Sequence, residues 1–306
     1  MRITQKKRKV LVIVGPTASG KSALAVALAR KFNGEIISAD SRQVYKGLDI
    51  GSGKITKREM SGVPHHLLNE MSSHRIFTAH DFVARASKAV ANISRKGKLP
   101  IIAGGTGFYI DSLVGRIALP NVPMNKKLRV RLEKMTAEKL FALLKKRDPR
   151  RAKTIDRHNK RRLVRALEIA TALGRVPDIS GLRNHYFDTF WIGIKGTKKE
   201  LERLIRARMR ARMKTGMVRE AMTLHKRGLS YKRMESLGLE YRSLALFLQK
   251  KITRKELEEK IVRDSFNYAK RQITYWKRNR DIKWFKPAQM KNILKIVRSF
   301  VAISTP

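Results

Sequence analysis

The stretch VLVIVGPTASGKS, residues 10–22, decides the fold of this chain. Its first five residues, Val10–Val14, form a short continuous apolar run, which is typical of a buried parallel strand. Residues 15–22 then fit the pattern G-x-x-x-x-G-K-[S/T], in which glycines let the backbone wrap closely around a chain of phosphates. An alanine- and leucine-rich helix is predicted to follow, from Ser22 to Lys31. A strand, a glycine-rich turn and a helix in this order predict a site for a diphosphate or a triphosphate.

The residues of this turn, a P-loop, have separate tasks in the predicted site. Backbone N–H groups and the N-terminus of the following helix supply partial positive charge. Lys21 adds a full charge, and the hydroxyl of Ser22 can hold Mg²⁺. The predicted diphosphate- or nucleotide-binding residues are Gly15, Pro16, Thr17, Ala18, Ser19, Gly20, Lys21 and Ser22. A P-loop indicates that such a ligand binds, but it does not say which group is transferred.

Further apolar runs predict a doubly wound parallel sheet. Glu35–Ser38, Leu99–Ala103 and Phe190–Ile194 are short strand candidates, and Trp284-Phe285 is a last short strand or a packed turn. A helix is predicted to begin at Thr78, because an aspartate three residues later completes a capping box. Strands that alternate with helices in this way are typical of α/β domains.

A long helical block interrupts this pattern. Two prolines near residue 120 mark a connection, and residues 125–173 then have a helical and very basic pattern with no strand candidate. Because a strand returns after the block, we predict that residues 120–184 are an all-helical subdomain inserted into the α/β domain. That domain would comprise residues 1–119 and 185–306, with a helical C-terminal part.

The charge of the chain suggests a polyanionic partner. Seventy Lys and Arg against 24 Asp and Glu give +46, and each phosphate that a protein neutralises releases counterions. A basic bias of the whole organism or adaptation to a salty cytoplasm would explain the same charge. No run of about 18 uncharged apolar residues occurs, so no membrane span is predicted. The absence of cysteine excludes disulfides and thiolate metal sites, and we expect a cytoplasmic protein.

Three polar residues are candidates for chemistry beside the P-loop. Asp40 follows the second predicted strand, where it can hold Mg²⁺ or act as a general base, or simply cap a turn. Thr106 lies in the glycine-rich GGTG stretch after the next strand and offers a hydroxyl. Arg208 falls on the apolar stripe of a predicted helix, where a cation needs an anionic partner. A structural carboxylate and a ligand phosphate explain that position equally well.

Two basic segments are candidates for RNA binding. Residues 268–278 interleave Lys and Arg with aromatic rings, which suits phosphates and unstacked bases, although Trp276 could equally belong to the core. Residues 159–165, in the predicted insertion, are the second segment. The adjacent His65 and His66 have no third ligand nearby, so we interpret them as structural residues rather than as a metal site.

The order of the motifs resembles the tRNA dimethylallyltransferase family. From Val10 to about Trp284 the chain contains, in sequence, GPTASGKS, SADSRQVYKGLDIGSGK, PHHLL, GGTGFY, RALE and YAKRQITYW. This resemblance implies a P-loop NTPase-like α/β fold and a tRNA-modifying activity. A dimethylallyl group would pass from dimethylallyl diphosphate to the N6 amine of the adenosine next to the anticodon, at position 37. Mg²⁺ is the expected cofactor, the tRNA anticodon stem-loop the expected partner, and a monomer the expected state.

The resemblance also implies roles for single residues. The P-loop would hold the diphosphate of the donor, and the catalytic set would be Asp40, Thr106 and Arg208. The residues expected to contact tRNA, including those of the basic aromatic stretch, are Asp40, Ser41, Arg42, Gln43, Thr106, Arg129, Arg161, Arg162, Leu163, Val164, Arg165, Lys270, Arg271 and Gln272.

Some positions depart from the pattern of the family. Asn69 and Asn159 stand where Asp is usual, and Ser265-Phe266 stands where Thr-Arg is usual, which puts one basic contact in doubt. Other functions also stay open: an adenylate isopentenyltransferase that modifies free AMP, a P-loop kinase of small molecules, and an RNA-binding switch without catalysis. The charge and the basic insertion favour a polymeric acceptor.

Overall fold

The computed structural model of the protein describes residues 7–178 and 186–302. The chain divides into two compact units, of which unit 1 comprises residues 1–115 and 183–306 and unit 2 comprises residues 116–182. The first division therefore lies four residues before the predicted start of the insertion. The predicted second boundary, between residues 184 and 185, lies outside the described residues.

A parallel sheet forms the centre of unit 1, which confirms the predicted fold class. In the described part of the chain its strand order is β3-β2-β4-β1-β5-β6, and every neighbouring pair is parallel. The strands are β1 Arg8–Val14, β2 Gly34–Ser38, β3 His65–His66, β4 Leu99–Ala103, β5 Phe187–Ile194 and β6 Lys283–Phe285. The Trp284-Phe285 segment is thus a strand, paired with β5.

Helices connect the strands and make up unit 2. Unit 1 contains α1 Lys21–Lys31, α2 Lys57–Met60, α3 Ala79–Arg95 and α4 Gly107–Leu113 before the division. Unit 2 contains α5 Lys126–Glu133, α6 Ala137–Arg147, α7 Pro149–Ala152 and α8 Lys160–Leu173. Unit 1 then continues with α9 Lys198–Lys214, α10 Met217–Lys226, α11 Tyr231–Leu237, α12 Leu239–Leu248, α13 Arg254–Trp276 and α14 Met290–Ala302. No helix among these is long and apolar enough to cross a membrane.

The capping box predicted at the start of α3 is present. The Thr78 hydroxyl accepts a hydrogen bond from the Asp81 backbone N–H at 3.2 Å, and the Asp81 carboxylate accepts one from the Thr78 N–H at 2.8 Å. Two N–H groups that the helix itself cannot satisfy are thereby paired. The buried face of α3 carries Phe82, Ala86, Val90 and Ile93, and it packs into the same core cluster as β1 and β2.

The register of the sheet brings three strand ends together. Ile13 of β1 lies beside Ala103 of β4, and Ser38 of β2 lies beside the same residue on its other side. Val10–Val14 are completely buried because β4 and β5 flank β1 and helices cover both faces; this explains the continuous apolar run. The turns that follow β1, β2 and β4 therefore start side by side at the carboxyl ends of these strands. Open α/β sheets bind their ligands there.

The short strand β3 was not predicted, because two histidines show no strand pattern. His66 contacts the buried Glu35 of β2 through Nε2, 2.7 Å from the carboxylate, and Lys98 donates to Glu35 at 2.9 Å. Burial alone would raise the pKa of Glu35, but these hydrogen bonds hold that pKa at about 2. In the described residues, no group of three or more His, Cys, Asp or Glu side chains could hold a metal.

Candidate functional site

A cavity in unit 1 lies where the strand ends of β1, β2 and β4 meet. Its lining comes from the P-loop, from the turn after β2, from the end of β4 and from helices α9 and α13. The polar groups and glycines of that lining include Thr17, Lys21, Ser22, Ser38, Asp40, Gln43, Gly104, Gly105, Arg208, Tyr268 and Gln272. Three of the four residues that we expected around one cavity, Lys21, Asp40 and Arg208, therefore line it, whereas Thr106 does not.

The backbone of the P-loop requires glycine at its two ends. Gly15 has φ +149°, and a Cβ atom there would lie 2.6 Å from the carbonyl oxygen of Ile194. Gly20 has φ +88°, in the left-handed region that other residues rarely adopt. The turn between them delivers the N-terminus of α1 to the cavity, and Lys21 folds back so that its Nζ donates to the Pro16 carbonyl at 2.6 Å.

The cavity carries more positive than negative charge. Burial and the nearby Arg208 lower the pKa of Lys21 from 10.5 to about 7, although the neighbouring Asp40 opposes that shift. Burial and Arg212 likewise lower the pKa of Arg208. The charged form of Lys21 is thus destabilised by Arg208 and that of Arg208 by Arg212, and a bound anion would relieve both. This is the electrostatic character of an anion site.

Arg208 has no carboxylate partner among residues 7–178 and 186–302. Its Nη2 donates to the Gly53 carbonyl at 2.7 Å, and it forms none of the ion pairs found in those ranges. The neighbouring Arg212 on α9 differs, since it pairs with Glu240 at 3.0 Å. Of the two explanations for a cation on this apolar stripe, the geometry therefore favours a ligand anion over a structural carboxylate.

Asp40 both caps its turn and faces the cavity. Its Oδ1 accepts hydrogen bonds from the backbone N–H groups of Arg42 at 2.8 Å and Gln43 at 3.3 Å. Its other oxygen, Oδ2, makes no hydrogen bond with the part of the chain that the structure describes. Asp40 can therefore cap its turn through one oxygen and act on a ligand through the other.

Thr106 ties two of the turns together. Its hydroxyl accepts a hydrogen bond from the Ser41 N–H at 3.1 Å, and its own N–H donates to the Ala39 carbonyl at 3.1 Å. A Cβ atom on the preceding Gly104 would lie 2.2 Å from the same carbonyl oxygen, so glycine is needed for this close approach. In this structure Thr106 holds the turn of Asp40 in place behind the cavity wall.

Gln272 of α13 bridges the P-loop and the turn after β4. Its Oε1 accepts from the Thr17 N–H at 2.8 Å, and its Nε2 donates to the Gly105 carbonyl at 3.0 Å. The side chain is 5% exposed, so it belongs to the cavity wall and not to a surface. We expected Gln272 to contact tRNA and did not predict its place in the cavity wall.

The comparisons with known proteins identify the family. Residues 43–279 match the model of the IPP transferase family. A tRNA dimethylallyltransferase 2 from Treponema denticola is 44% identical over 277 residues, which cover 89% of this chain and 92% of the relative. A tRNA dimethylallyltransferase from Caldanaerobacter subterraneus is 38% identical over 90% of this chain and 91% of the relative.

The chain belongs to the IPP transferase family.

Solved structures agree with this assignment. A tRNA isopentenylpyrophosphate transferase from Bacillus halodurans superposes with a TM-score of 0.72 at 32% identity, over 97% of this chain and 96% of that chain. A eukaryotic dimethylallyltransferase acting on tRNA gives a TM-score of 0.84 at 26% identity, over 98% of this chain and 81% of that chain. The resemblance seen in the sequence motifs is thus confirmed along nearly the whole chain.

Tyr268 also lines the cavity of this IPP transferase family member, and we had not predicted that position. It lies one helical turn before Gln272 on α13, with its hydroxyl 3.5 Å from the Gly105 carbonyl. Burial and the nearby Asp40 raise the pKa of this phenol to about 12. Tyr268 and Gln272 are four residues apart, so a polar stripe inside the apolar face of α13 was the signal that could have revealed both.

Other residues expected to bind tRNA in unit 1 have mixed positions. Arg42 is tied to backbone, since its Nη1 donates to the Ser41 carbonyl at 3.0 Å and its Nε donates to that of Leu237. Lys270 and Arg271 are exposed on α13, whereas Trp276 is buried beside Trp191, with ring centroids 5.8 Å apart. Only the first two of these α13 side chains are free to meet a polyanion.

Within unit 2, the predicted basic contacts separate into two kinds. Arg129 pairs with the buried Glu168 through two hydrogen bonds, of 2.9 and 2.8 Å, and Arg165 donates to the same carboxylate. Both arginines therefore serve to neutralise a buried charge. Arg161 and Arg162 are exposed on the first turn of α8.

The apolar members of the same prediction lie in a core. Leu163 and Val164 are buried with Leu140 and Leu144 inside unit 2, so their side chains cannot present themselves to RNA. The unusual Asn159 precedes α8 and caps it, since its side-chain oxygen accepts from the Arg162 N–H at 3.2 Å. Asparagine fulfils that role as well as aspartate does.

Proposed function

We propose that this chain is a tRNA dimethylallyltransferase, which transfers a dimethylallyl group from dimethylallyl diphosphate to the N6 amine of adenosine 37 in tRNA. The observation that carries the proposal is that one cavity contains the cations Lys21 and Arg208, which form no ion pair among the described residues, together with the carboxylate of Asp40. An anionic leaving group and an acceptor amine need these two kinds of group. The names of the relatives support the same activity.

The P-loop side of the cavity would hold the donor. Lys21, Arg208 and the N-terminus of α1 stabilise negative charge on the diphosphate as the allylic carbon–oxygen bond breaks and its electron pair leaves with the diphosphate oxygen. Thr17 contributes less to this cradle in the present arrangement, because its N–H is taken by Gln272. The catalytic power of such preorganised charge is large, since one missing donor commonly costs about 10²–10³ in rate.

Asp40 would act on the acceptor. The N6 amine of adenine is a weak nucleophile, and a carboxylate that accepts one of its protons keeps positive charge from accumulating as the new nitrogen–carbon bond forms. Arg42 and Gln43 hold Oδ1 through their backbone N–H groups. The second oxygen, Oδ2, therefore remains the atom that takes the proton.

The same cavity suits a divalent cation, which we propose to be Mg²⁺. Mg²⁺ prefers oxygen ligands, keeps several waters and uses one or two protein oxygens together with substrate phosphates. The hydroxyl of Ser22 lines the cavity and is the side chain that would hold the ion. When bound, it would neutralise charge on the diphosphate.

The acceptor in this proposal is a polymer, bound chiefly by exposed cations. Arg161 and Arg162 of unit 2 and Lys270 and Arg271 of α13 are the best candidates, so we propose residues 120–184 as the tRNA-binding insertion. An adenine stacked in the anticodon loop cannot enter a cavity, so it must swing out of the stack to react. A monomer carries a full set of these groups, and we propose that state.

One assay separates this function from its rivals. The protein is incubated with radiolabelled dimethylallyl diphosphate and either unmodified tRNA or AMP, and separately with labelled ATP. We expect label in tRNA alone. Label that enters AMP but not tRNA would establish an adenylate isopentenyltransferase, and transfer of phosphate from ATP would establish a kinase.

A further inference from the structure

The loop of residues 48–54, which we call the β2–β3 loop, contributes to the cavity, although none of its residues is among the site residues predicted above. Ser52 and the neighbouring Ile55 line the cavity. The Gly53 carbonyl receives two donors, Arg208 Nη2 at 2.7 Å and Gln43 Nε2 at 3.3 Å. The position of the loop therefore determines where the guanidinium of Arg208 lies.

One acidic side chain outside the cavity lining holds this loop. Glu220 of α10 accepts hydrogen bonds from three successive backbone N–H groups: Asp49 at 2.9 Å and Ile50 at 2.6 Å through Oε2, and Gly51 at 2.9 Å through Oε1. The hydroxyl of Tyr241 donates to the same carboxylate at 2.7 Å. Burial and this carboxylate raise the pKa of Tyr241 well above its usual value, so the phenol stays a donor.

The loop thus presents its N–H groups to an anion and its carbonyls to cations. The Gly51 carbonyl accepts from Arg212 at 2.9 Å, as the Gly53 carbonyl accepts from Arg208. Glu220 binds the Ile50 N–H, which shares its peptide group with the Asp49 carbonyl, and that carbonyl accepts from the Lys54 N–H at 2.9 Å. The Lys54 N–H in turn shares its peptide group with the Gly53 carbonyl, so the carboxylate polarises two peptide groups in series that end at Arg208. A Cβ atom on Gly53 would lie 2.3 Å from Arg208 Nη2, which shows how closely the loop and the guanidinium fit.

We infer that Glu220 is a positioning residue for prenyl transfer, acting through the β2–β3 loop on Arg208. It does not line the cavity, so it touches neither substrate in the proposed reaction. Arg208 lacks a carboxylate partner among the described residues, so the Gly53 carbonyl is what directs it toward the diphosphate. This inference rests on the proposed function.

The charge of Glu220 is what the role requires. In Glu220→Gln the side chain keeps its length, but it retains one accepting oxygen and turns an NH₂ group toward N–H donors. The loop should then shift away from α10 and take the Gly53 carbonyl with it. A displacement of about 1 Å at a catalytic group can lower a rate by about 10², and we expect a loss of up to that size in kcat together with a higher KM for dimethylallyl diphosphate.

A double-mutant cycle tests this coupling directly. Prenyl transfer is measured in single-turnover experiments for wild type, Glu220→Gln, Arg208→Ala and the double variant, together with the dissociation constant of inorganic pyrophosphate and that of tRNA. If Glu220 acts through Arg208, its substitution lowers the rate and weakens pyrophosphate binding in the wild-type background but has little effect once Arg208 is alanine. The dissociation constant for tRNA should not change, and Glu220→Asp, which keeps the charge, should recover part of the rate.

A matched control lies on the same helix as Arg208. Glu202 of α9 forms an exposed ion pair with Arg206 at 2.9 Å, so Glu202→Gln removes a carboxylate of equal size without touching the loop and should behave as wild type. If the loss of rate in the double variant equals the product of the losses in Glu220→Gln and Arg208→Ala, the inference is wrong. Absence of transfer by the wild type would instead refute the proposed function, so the two failures are distinguishable.

Discussion

At the scale of single residues, the protonation of Lys21 controls the charge that a ligand meets. Its pKa of about 7 means that a part of the molecules lacks this charge at neutral pH. A bound diphosphate would favour the protonated amine and raise that pKa. Binding of the ligand and uptake of a proton are therefore linked.

The consequence is a pH-dependent affinity with a definite sign. Between pH 9 and about 7 the free protein gains the proton that the complex already holds, so the dissociation constant of inorganic pyrophosphate should fall by up to about tenfold per pH unit. Below pH 7 this contribution should level off. Calorimetry on wild type and on Lys21→Arg, whose guanidinium does not titrate, separates the lysine from the protonation of the ligand itself. Identical pH profiles for the two proteins would exclude the linkage.

Asp40 offers a second residue-scale test, because its two oxygens have separate tasks. In Asp40→Asn the side-chain oxygen can still accept from the N–H groups of Arg42 and Gln43, so the turn should persist. The base is lost, and we expect prenyl transfer to fall by about 10²–10⁴ while the dissociation constant for tRNA stays the same. Single-turnover rates and a filter-binding titration measure the two quantities. A variant that retains the wild-type rate would remove Asp40 from the role of base.

The residues differ in how far sequence could predict them. Lys21 and Asp40 belong to short motifs whose geometry is local, and Arg208 stood out as a cation on an apolar stripe. The pairing of Arg129 with Glu168, 39 residues away, could not be predicted, because arginines that bind RNA and arginines that neutralise a buried carboxylate look alike in a basic sequence. Only the packing of α5 against α8 distinguishes them.

At the scale of secondary-structure elements, α8 depends on one buried acid for its place in unit 2. Glu168 is 1% exposed and accepts from Arg129, Arg165 and the Asn125 N–H. Burial tends to raise the pKa of this carboxyl, but these hydrogen bonds outweigh burial and lower it. The stability that the ionised group contributes is thus present above the ordinary carboxyl pKa and is lost as the pH falls through the lowered value.

Glu168→Gln should therefore destabilise unit 2. Two arginines lose their counter-charge, and breaking such a buried pair commonly costs about 3 kcal/mol. Hydrogen exchange of the α5–α8 amides, read by mass spectrometry, should reveal faster opening there than in the sheet of unit 1. Glu133→Gln, at an exposed position of α5, is the control. Equal protection in the two variants would contradict a structural role for Glu168.

Elements with a clear sequence pattern were predicted, whereas a strand of only two residues was not. The buried strands β1, β2 and β4 appeared as continuous apolar runs, and the capping box located the start of α3. β3 has two residues and depends on Glu35 and Lys98 from distant parts of the chain. Its existence follows from the tertiary fold, which a local pattern does not contain.

At the scale of the whole molecule, the charge of +46 should dominate the binding of tRNA. If about 6–10 phosphates are contacted, affinity should fall by about 10³–10⁵ between 50 and 200 mM salt. Replacing both Arg161 and Arg162 by alanine should weaken binding and reduce the slope of log affinity against log salt by about 1 for each residue. Arg254→Ala, which removes a cation facing Glu258 on α13, should leave the slope nearly unchanged. If the double variant has the same slope as wild type, the RNA does not contact Arg161 and Arg162.

The bridge between Thr17 and Gln272 joins residues 255 positions apart. During synthesis, β1 can pair with β5 only after the ribosome has passed residue 187. Synthesis at about 5–20 residues per second places roughly 10–50 s between the two ends of that bridge. A nascent chain that does not yet contain α13 thus carries an unfinished P-loop wall. Translation products that stop before α13 would lack a completed cavity wall, and the enzyme becomes competent only after α13 has been synthesised.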